Sequence, residues 1–162
     1  MNPKNLVKSH KKGFTLIEIL IVIGLIAILA TVVLVALNPA RQFAQARNSQ
    51  RISNVNTILN AIGQNIADNK GVFSCSGSPY TIAPSPTDMK SGAANADLAP
   101  CLVPIYISSI PIEPIASTSP VCTPSSVAPY ETCYSVSRDT ITGRVTVSAP
   151  NAELGQSIFV TR

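Results

Sequence analysis

A chain of 162 residues suits one compact domain plus an appendage, and its twelve Lys or Arg against eight Asp or Glu give a pI near 9. That balance suggests a nucleic-acid surface, but Lys4, Lys8, Lys11 and Lys12 all precede Gly13, leaving eight basic residues (12 − 4) against all eight acidic ones from Phe14 onward. Nucleic acid is therefore not expected as a partner. The one histidine, His10, also precedes Gly13, so the rest of the chain lacks the usual residue of acid–base and triad chemistry.

Residues 1–13 form a short basic leader ending in Lys11-Lys12-Gly13. Residues 14–37 follow as a 24-residue apolar run whose only charge is Glu18. As a helix it reaches roughly 36 Å, enough to span a bilayer with some tilt. The leader places its start on the cytoplasmic side, although Arg41, Arg47 and Arg51 weaken that asymmetry. A cleaved secretory signal is the competing reading. Its apolar core should be shorter and end at a small-x-small site, and the nearest such pair, Ala44-Gln45-Ala46, lies beyond Asn38-Pro39 and Arg41.

Residues 38–70 read as an amphipathic continuation of the helix, with a kink expected at Pro39. Ile52, Val55, Ile58, Leu59, Ile62 and Ile66 recur at spacings of three and four as the packing stripe. Arg47, Asn48, Gln50, Asn54, Asn60 and Gln64 are expected on the opposite face, and Gly71 is available to end the helix.

Residues 71–162 hold eleven of the thirteen prolines and read as an exported globular head. Between Pro79 and Pro129 no long helix or central strand is expected, only an irregular loop region. Tyr130–Ser137, Arg144–Ser148 and Gln156–Thr161 read as strands, with a turn between Asp139 and Gly143. The fold class is α+β: a long N-terminal helix against a small C-terminal antiparallel sheet with Pro-rich loops. Without Trp and with few aromatics, its core is small.

Four cysteines, Cys75, Cys101, Cys122 and Cys133, show no C-x-x-C pair, so disulfides fit better than zinc. Three pairings are open. The expectation is the two local ones, Cys75–Cys101 and Cys122–Cys133, the second closing a loop worth roughly 2–3 kcal/mol. Asp88, Asp97, Glu113, Asp139 and Glu153 are scattered among polar residues and read as solvated. No catalytic residue, metal site or enzymatic activity is expected.

The junction Lys11-Lys12-Gly13-Phe14-Thr15-Leu16-Ile17-Glu18 resembles the prepilin-type cleavage and methylation signature of type IV pilins and type II secretion pseudopilins. The resemblance implies recognition of Lys11 and Lys12 by a prepilin peptidase/methyltransferase, cleavage at Gly13–Phe14 and N-methylation of Phe14. It also gives Glu18 a role. A carboxylate in a spanning segment costs about 2.5–3.5 kcal/mol at mid-bilayer, and cleavage creates the Phe14 amine to offset it. Pairing with a neighbour's amine would set the stagger between subunits.

The expected partners are identical or related pilin subunits, an assembly ATPase, a platform protein and, before assembly, the lipid bilayer. The expected location is a single-pass inner-membrane precursor, then a periplasmic or cell-surface filament. The run from Leu102 to Pro114 is similar to the tyrosine- and proline-rich loop of major pseudopilins, with Glu113 at the acidic position. The aromatic-glycine continuation is replaced by Ile115-Ala116-Ser117-Thr118-Ser119, and carboxylates are few nearby, so calcium is disfavoured and no cofactor is expected. A disulfide near the C-terminus instead resembles true pilins. The alternatives are a minor tip pilin with an adhesive or DNA-uptake role, and a membrane-anchored exported domain that never polymerises.

Overall fold

A computed structural model of the chain describes residues 13–114, 122–124 and 129–162. It divides into two compact units, Met1–Ala40 and Arg41–Arg162.

In the first unit Leu16–Leu37 form helix α1. Apolar side chains occupy all sides of this helix, and those from Leu16 to Val35 are exposed. A helix apolar all round has no face for water and needs an apolar surrounding. Leu16–Ala36 is long and apolar enough to cross a membrane, and 21 residues rise roughly 32 Å, the thickness of the hydrocarbon core. Asn38 adopts a left-handed backbone (φ 41°, ψ 77°) and ends the helix. Helix α2 (Pro39–Asp68) then begins at the proline. The interruption therefore falls at Asn38 and not at a kink inside one continuous helix. At the first helical position the missing proline N–H has no bond to lose and the fixed φ suits the helix.

In the second unit, α2 from Arg41 onward packs on a four-stranded antiparallel sheet of order β3-β4-β5-β6. Its strands are Thr87–Lys90 (β3), Glu131–Arg138 (β4), Val145–Ala149 (β5) and Ile158–Thr161 (β6). Two short strands, β1 (Ser74–Cys75) and β2 (Ser78–Pro79), pair as a ribbon after α2, and α3 (Ala99–Leu102) follows β3. Among the described residues of the proline-rich region lie the end of β2, the short helix α3 and strand β3, and β3 lies at an edge of the four-stranded sheet, as prolines allow.

The alternation of a strand puts Tyr134, Val136, Val145, Val147 and Ile158 on one side, where they enclose Val55, Ile58, Leu59 and Ile62 of α2. Phe73, Met89, Leu98 and Leu102 complete this core. Each aliphatic side chain so buried stabilises by roughly 1.5–3 kcal/mol. Cys75 is bonded to Cys101, tying β1 to α3, and Cys122 is bonded to Cys133 of β4.

Two expectations for α2 are overturned. Ile52, assigned to the packing stripe, is 46% exposed, while Asn48 and Asn54, assigned to the outer face, are buried beside Arg51. Asn48, Arg51 and Asn54 lie on the same helical face as Val55 and Ile58, and they go inside because loops supply partners. Arg51 Nε donates to Glu113 Oε1 at 2.8 Å, and its Nη2 bonds the same oxygen. Its Nη1 donates to Asn48 Oδ1 at 2.7 Å and to Glu153 Oε2 at 2.8 Å. Asn48 Nδ2 reaches the Glu153 carbonyl and Gln156 Oε1, both at 2.9 Å, and Glu153 N donates back to Asn48 Oδ1. Asn54 Nδ2 donates to the Ile112 carbonyl and the Tyr134 hydroxyl.

Glu113 and Glu153 are thus ion-pair partners and not solvated residues. Glu113 is 2% exposed, and the Arg47 guanidinium, ahead of Arg51, holds the Glu153 carboxyl down from 4.5 to about 2. Asp88 is exposed but lies within ion-pair distance of Lys90, whereas Asp97 accepts from the Tyr130 hydroxyl and Asp139 caps its own turn.

A bulge brings Glu113 to Arg51. Asp88 pairs with Ser135 and Lys90 with Glu131, so Met89 alone opposes Thr132, Cys133 and Tyr134. Cys133 sits at φ 61°, a left-handed conformation uncommon outside glycine. The displaced Thr132 carbonyl accepts from Glu113 N at 3.2 Å, which anchors the loop that presents the carboxylate.

Removing the cation alone leaves a buried carboxylate without its partner. Arg51→Met should therefore cost about 3–5 kcal/mol, measured by denaturation of the full chain in detergent micelles through tyrosine near-UV dichroism. Adding Glu113→Gln to Arg51→Met should restore part of that loss. A loss for Arg51→Met under about 1 kcal/mol, the scale of a surface pair, would contradict this account.

Candidate functional site

The junction singled out in the sequence lies at the start of the first unit. Gly13 and Phe14 are exposed and precede α1 in irregular backbone. A Cβ added to Gly13 would meet nothing within 4 Å, and its backbone lies outside the left-handed region, so the fold does not require glycine there. Any requirement at that position comes from outside this chain. A narrow protease cleft, which admits a backbone without side chains, is such a requirement. Phe14 is 86% exposed. Lys11 and Lys12 lie outside the described residues.

Thr15 is the N-cap of α1, with extended backbone at φ −84° and ψ 151°. Its hydroxyl accepts from Glu18 N at 3.3 Å. Glu18 Oε2 in turn accepts from Thr15 N and from the Thr15 hydroxyl, both at 2.8 Å. This is a capping box, two free amides of the first turn satisfied by reciprocal side chains. The carboxylate also sits at the positive end of the helix dipole. Further along, Thr31 returns its hydroxyl to the Ala27 carbonyl at 2.9 Å, so both polar side chains of α1 find partners without water.

Thr15 is the residue that reading the sequence for chemistry missed. Its signal was present, since Thr15-Leu16-Ile17-Glu18 has the spacing of a capping box before an apolar run. The cysteines and Glu113 lie in the second unit. The four cysteines are paired as disulfides. Glu113 turns one oxygen to Arg51, and its Oε2 is buried with no hydrogen-bond partner among the described residues. A carboxylate facing a guanidinium is a poor ligand for a divalent cation. Among the described residues no group of three His, Cys, Asp or Glu is placed to hold a metal ion.

Residues 8–34 match the family model of the prokaryotic N-terminal methylation motif. No curated protein and no solved structure matches the chain. The motif implies processing by prepilin peptidase and assembly with other pilin subunits in general. Together with the apolar α1 it is consistent with an inner-membrane-anchored precursor.

The cap is testable by itself. Thr15→Val keeps the shape but removes the hydroxyl, at about 1 kcal/mol for a lost N-cap. Hydrogen exchange of the full chain in lipid nanodiscs should then show the first-turn amides of α1 opening about fivefold more often. Unchanged protection at Glu18 and Ile19 would mean that the box does not hold this end. Over residues 8–34 the chain thus carries the N-terminal methylation motif that is the prepilin signature of type IV pilins and pseudopilins.

Proposed function

We propose that this chain is a structural subunit of a filament of the type IV pilus or type II secretion pseudopilus kind. The observation that carries this reading is Glu18. It is the single charge on an otherwise apolar helix, held in the first turn beside the position where cleavage at Gly13–Phe14 would create an amine. In lipid the capping box shelters that carboxylate within its own chain. In a bundle of such helices it would pair with the N-methylated Phe14 amine of an identical or related subunit, and a buried charge of this kind fixes register.

A head-to-tail contact whose rotation does not close propagates as a helical filament. In this reading α1 exchanges lipid for neighbouring helices, and the Arg41–Arg162 head faces outward. Extraction from the membrane falls to an assembly ATPase and a platform protein, and the filament is periplasmic or on the cell surface. No cofactor is needed, because both charges of the register pair come from the chain itself. With eight basic against seven acidic residues, the Arg41–Arg162 head has little general attraction for nucleic acid.

Gly13→Val should leave the fold intact, since a Cβ there meets no neighbour. It should nevertheless abolish both the mobility shift of maturation on immunoblots and the filaments seen by electron microscopy. Glu18→Ala should still be trimmed at Gly13–Phe14 yet give no filaments. Filaments at normal abundance from Glu18→Ala would sink the register role and favour a plain membrane anchor.

A further inference from the structure

The second unit holds a groove of about 560 Å³ between α2 and the end of the sheet where β4 turns into β5. Its walls are Leu59, Ile62, Ile66 and Val145, and Arg138 and Arg162 also line it. The register fixes the two arginines. Arg138 is the pairing partner of Val145, and Val145 exchanges both backbone bonds with Arg162. Residues directly opposite one another share a face, and Val145 is buried on the α2 side. The two guanidinium stems therefore rise on either side of Val145, two strand spacings or about 10 Å apart.

Both arginines are held by neutral oxygens. Arg138 Nε donates to the Gly143 carbonyl at 3.1 Å, and Arg162 reaches the side-chain carbonyls of Asn56 (3.1 Å) and Asn60. Among the described residues neither lies within ion-pair distance of a carboxylate, whereas Arg47, Arg51 and Lys90 each face one. The adjacent acid, Asp139, is turned onto its own loop, accepting from the Ile141 and Thr142 amides at 2.8 and 2.7 Å.

Gly63 adds an independent observation. It lies inside α2, where glycine destabilises a helix relative to alanine. It is not in the left-handed region, and a Cβ there would meet nothing within 4 Å. Neither backbone conformation nor packing calls for it, yet it lines the groove and keeps that wall open.

We infer that this groove binds a small amphipathic carboxylate, with the anionic head between Arg138 and Arg162 and the apolar body along Ile62, Ile66 and Val145. The volume lies within the range of small-molecule sites, and a guanidinium suits a planar carboxylate. A nucleic acid fits less well, because among the described residues no aromatic side chain lines the groove to stack a base.

The test uses the full chain in lipid nanodiscs, with methyl resonances of Ile62, Ile66 and Val145 as reporters. Phenylpropionate should shift all three saturably, and the neutral phenylpropanol should bind at least about tenfold more weakly. Arg138→Gln should weaken phenylpropionate binding to a similar degree. Gly63→Leu should abolish it with a Tm no lower than that of the parent chain. Equal binding of acid and alcohol, an undiminished response in Gly63→Leu, or an Arg138-dependent response to a short DNA duplex but not to phenylpropionate would overturn the assignment.

Discussion

Arg51 places a permanent charge where water does not reach, and the head is arranged to answer it. An isolated ion in an apolar interior is far more costly than any single contact can offset. Here Glu113 arrives from the proline-rich loop and Glu153 from the segment between β5 and β6, while Asn48 accepts a further guanidinium proton. Such a cluster adds little net stability over a well-packed apolar replacement. Its effect is geometric: α2 can slide or turn against neither loop without leaving a charge unmatched. The bulge at Thr132–Cys133 belongs to the same constraint, because it exposes the carbonyl that anchors Glu113.

The two units solve the polar-group problem in opposite ways. Apart from Glu113 Oε2, the head answers its buried side-chain polar groups across elements, with Asn54 meeting Tyr134 and Asn65 meeting both Ser74 and Cys101. Helix α1 satisfies Glu18 and Thr31 within one turn of itself. The first strategy makes a specific tertiary structure. The second leaves every side of α1 available to an apolar environment, whether lipid or, as we propose, like helices.

Much of this is legible in the amino-acid order. The junction and the apolar run are local signals, and the alternation of Tyr134, Val136, Val145 and Val147 announces a sheet with one buried face. The buried half of α2 is not legible in the same way. Periodicity assigns polar residues outward, and it placed Ile52 inside and Asn48 and Asn54 outside, although their helical positions beside Val55 and Ile58 were fixed by spacing alone. What reverses the assignment is partners far along the chain, Glu153 and Gln156 for Asn48 and Ile112 and Tyr134 for Asn54, and no local pattern reports partners at that distance. Edge strand β3 is illegible for a related reason, since Thr87–Lys90 has no alternation and is a strand only because β4 offers it a ladder.

The basic leader, the glycine the fold does not need and the capped glutamate support one proposed event, the trimming of the chain at Gly13–Phe14. Intact-mass spectrometry of the protein from cells with its native processing machinery addresses that event directly. The account predicts a chain beginning at Phe14 and heavier by one methyl group on its amine. A chain still beginning at Met1, or one cut beyond Ala46 and lacking α1, would contradict it.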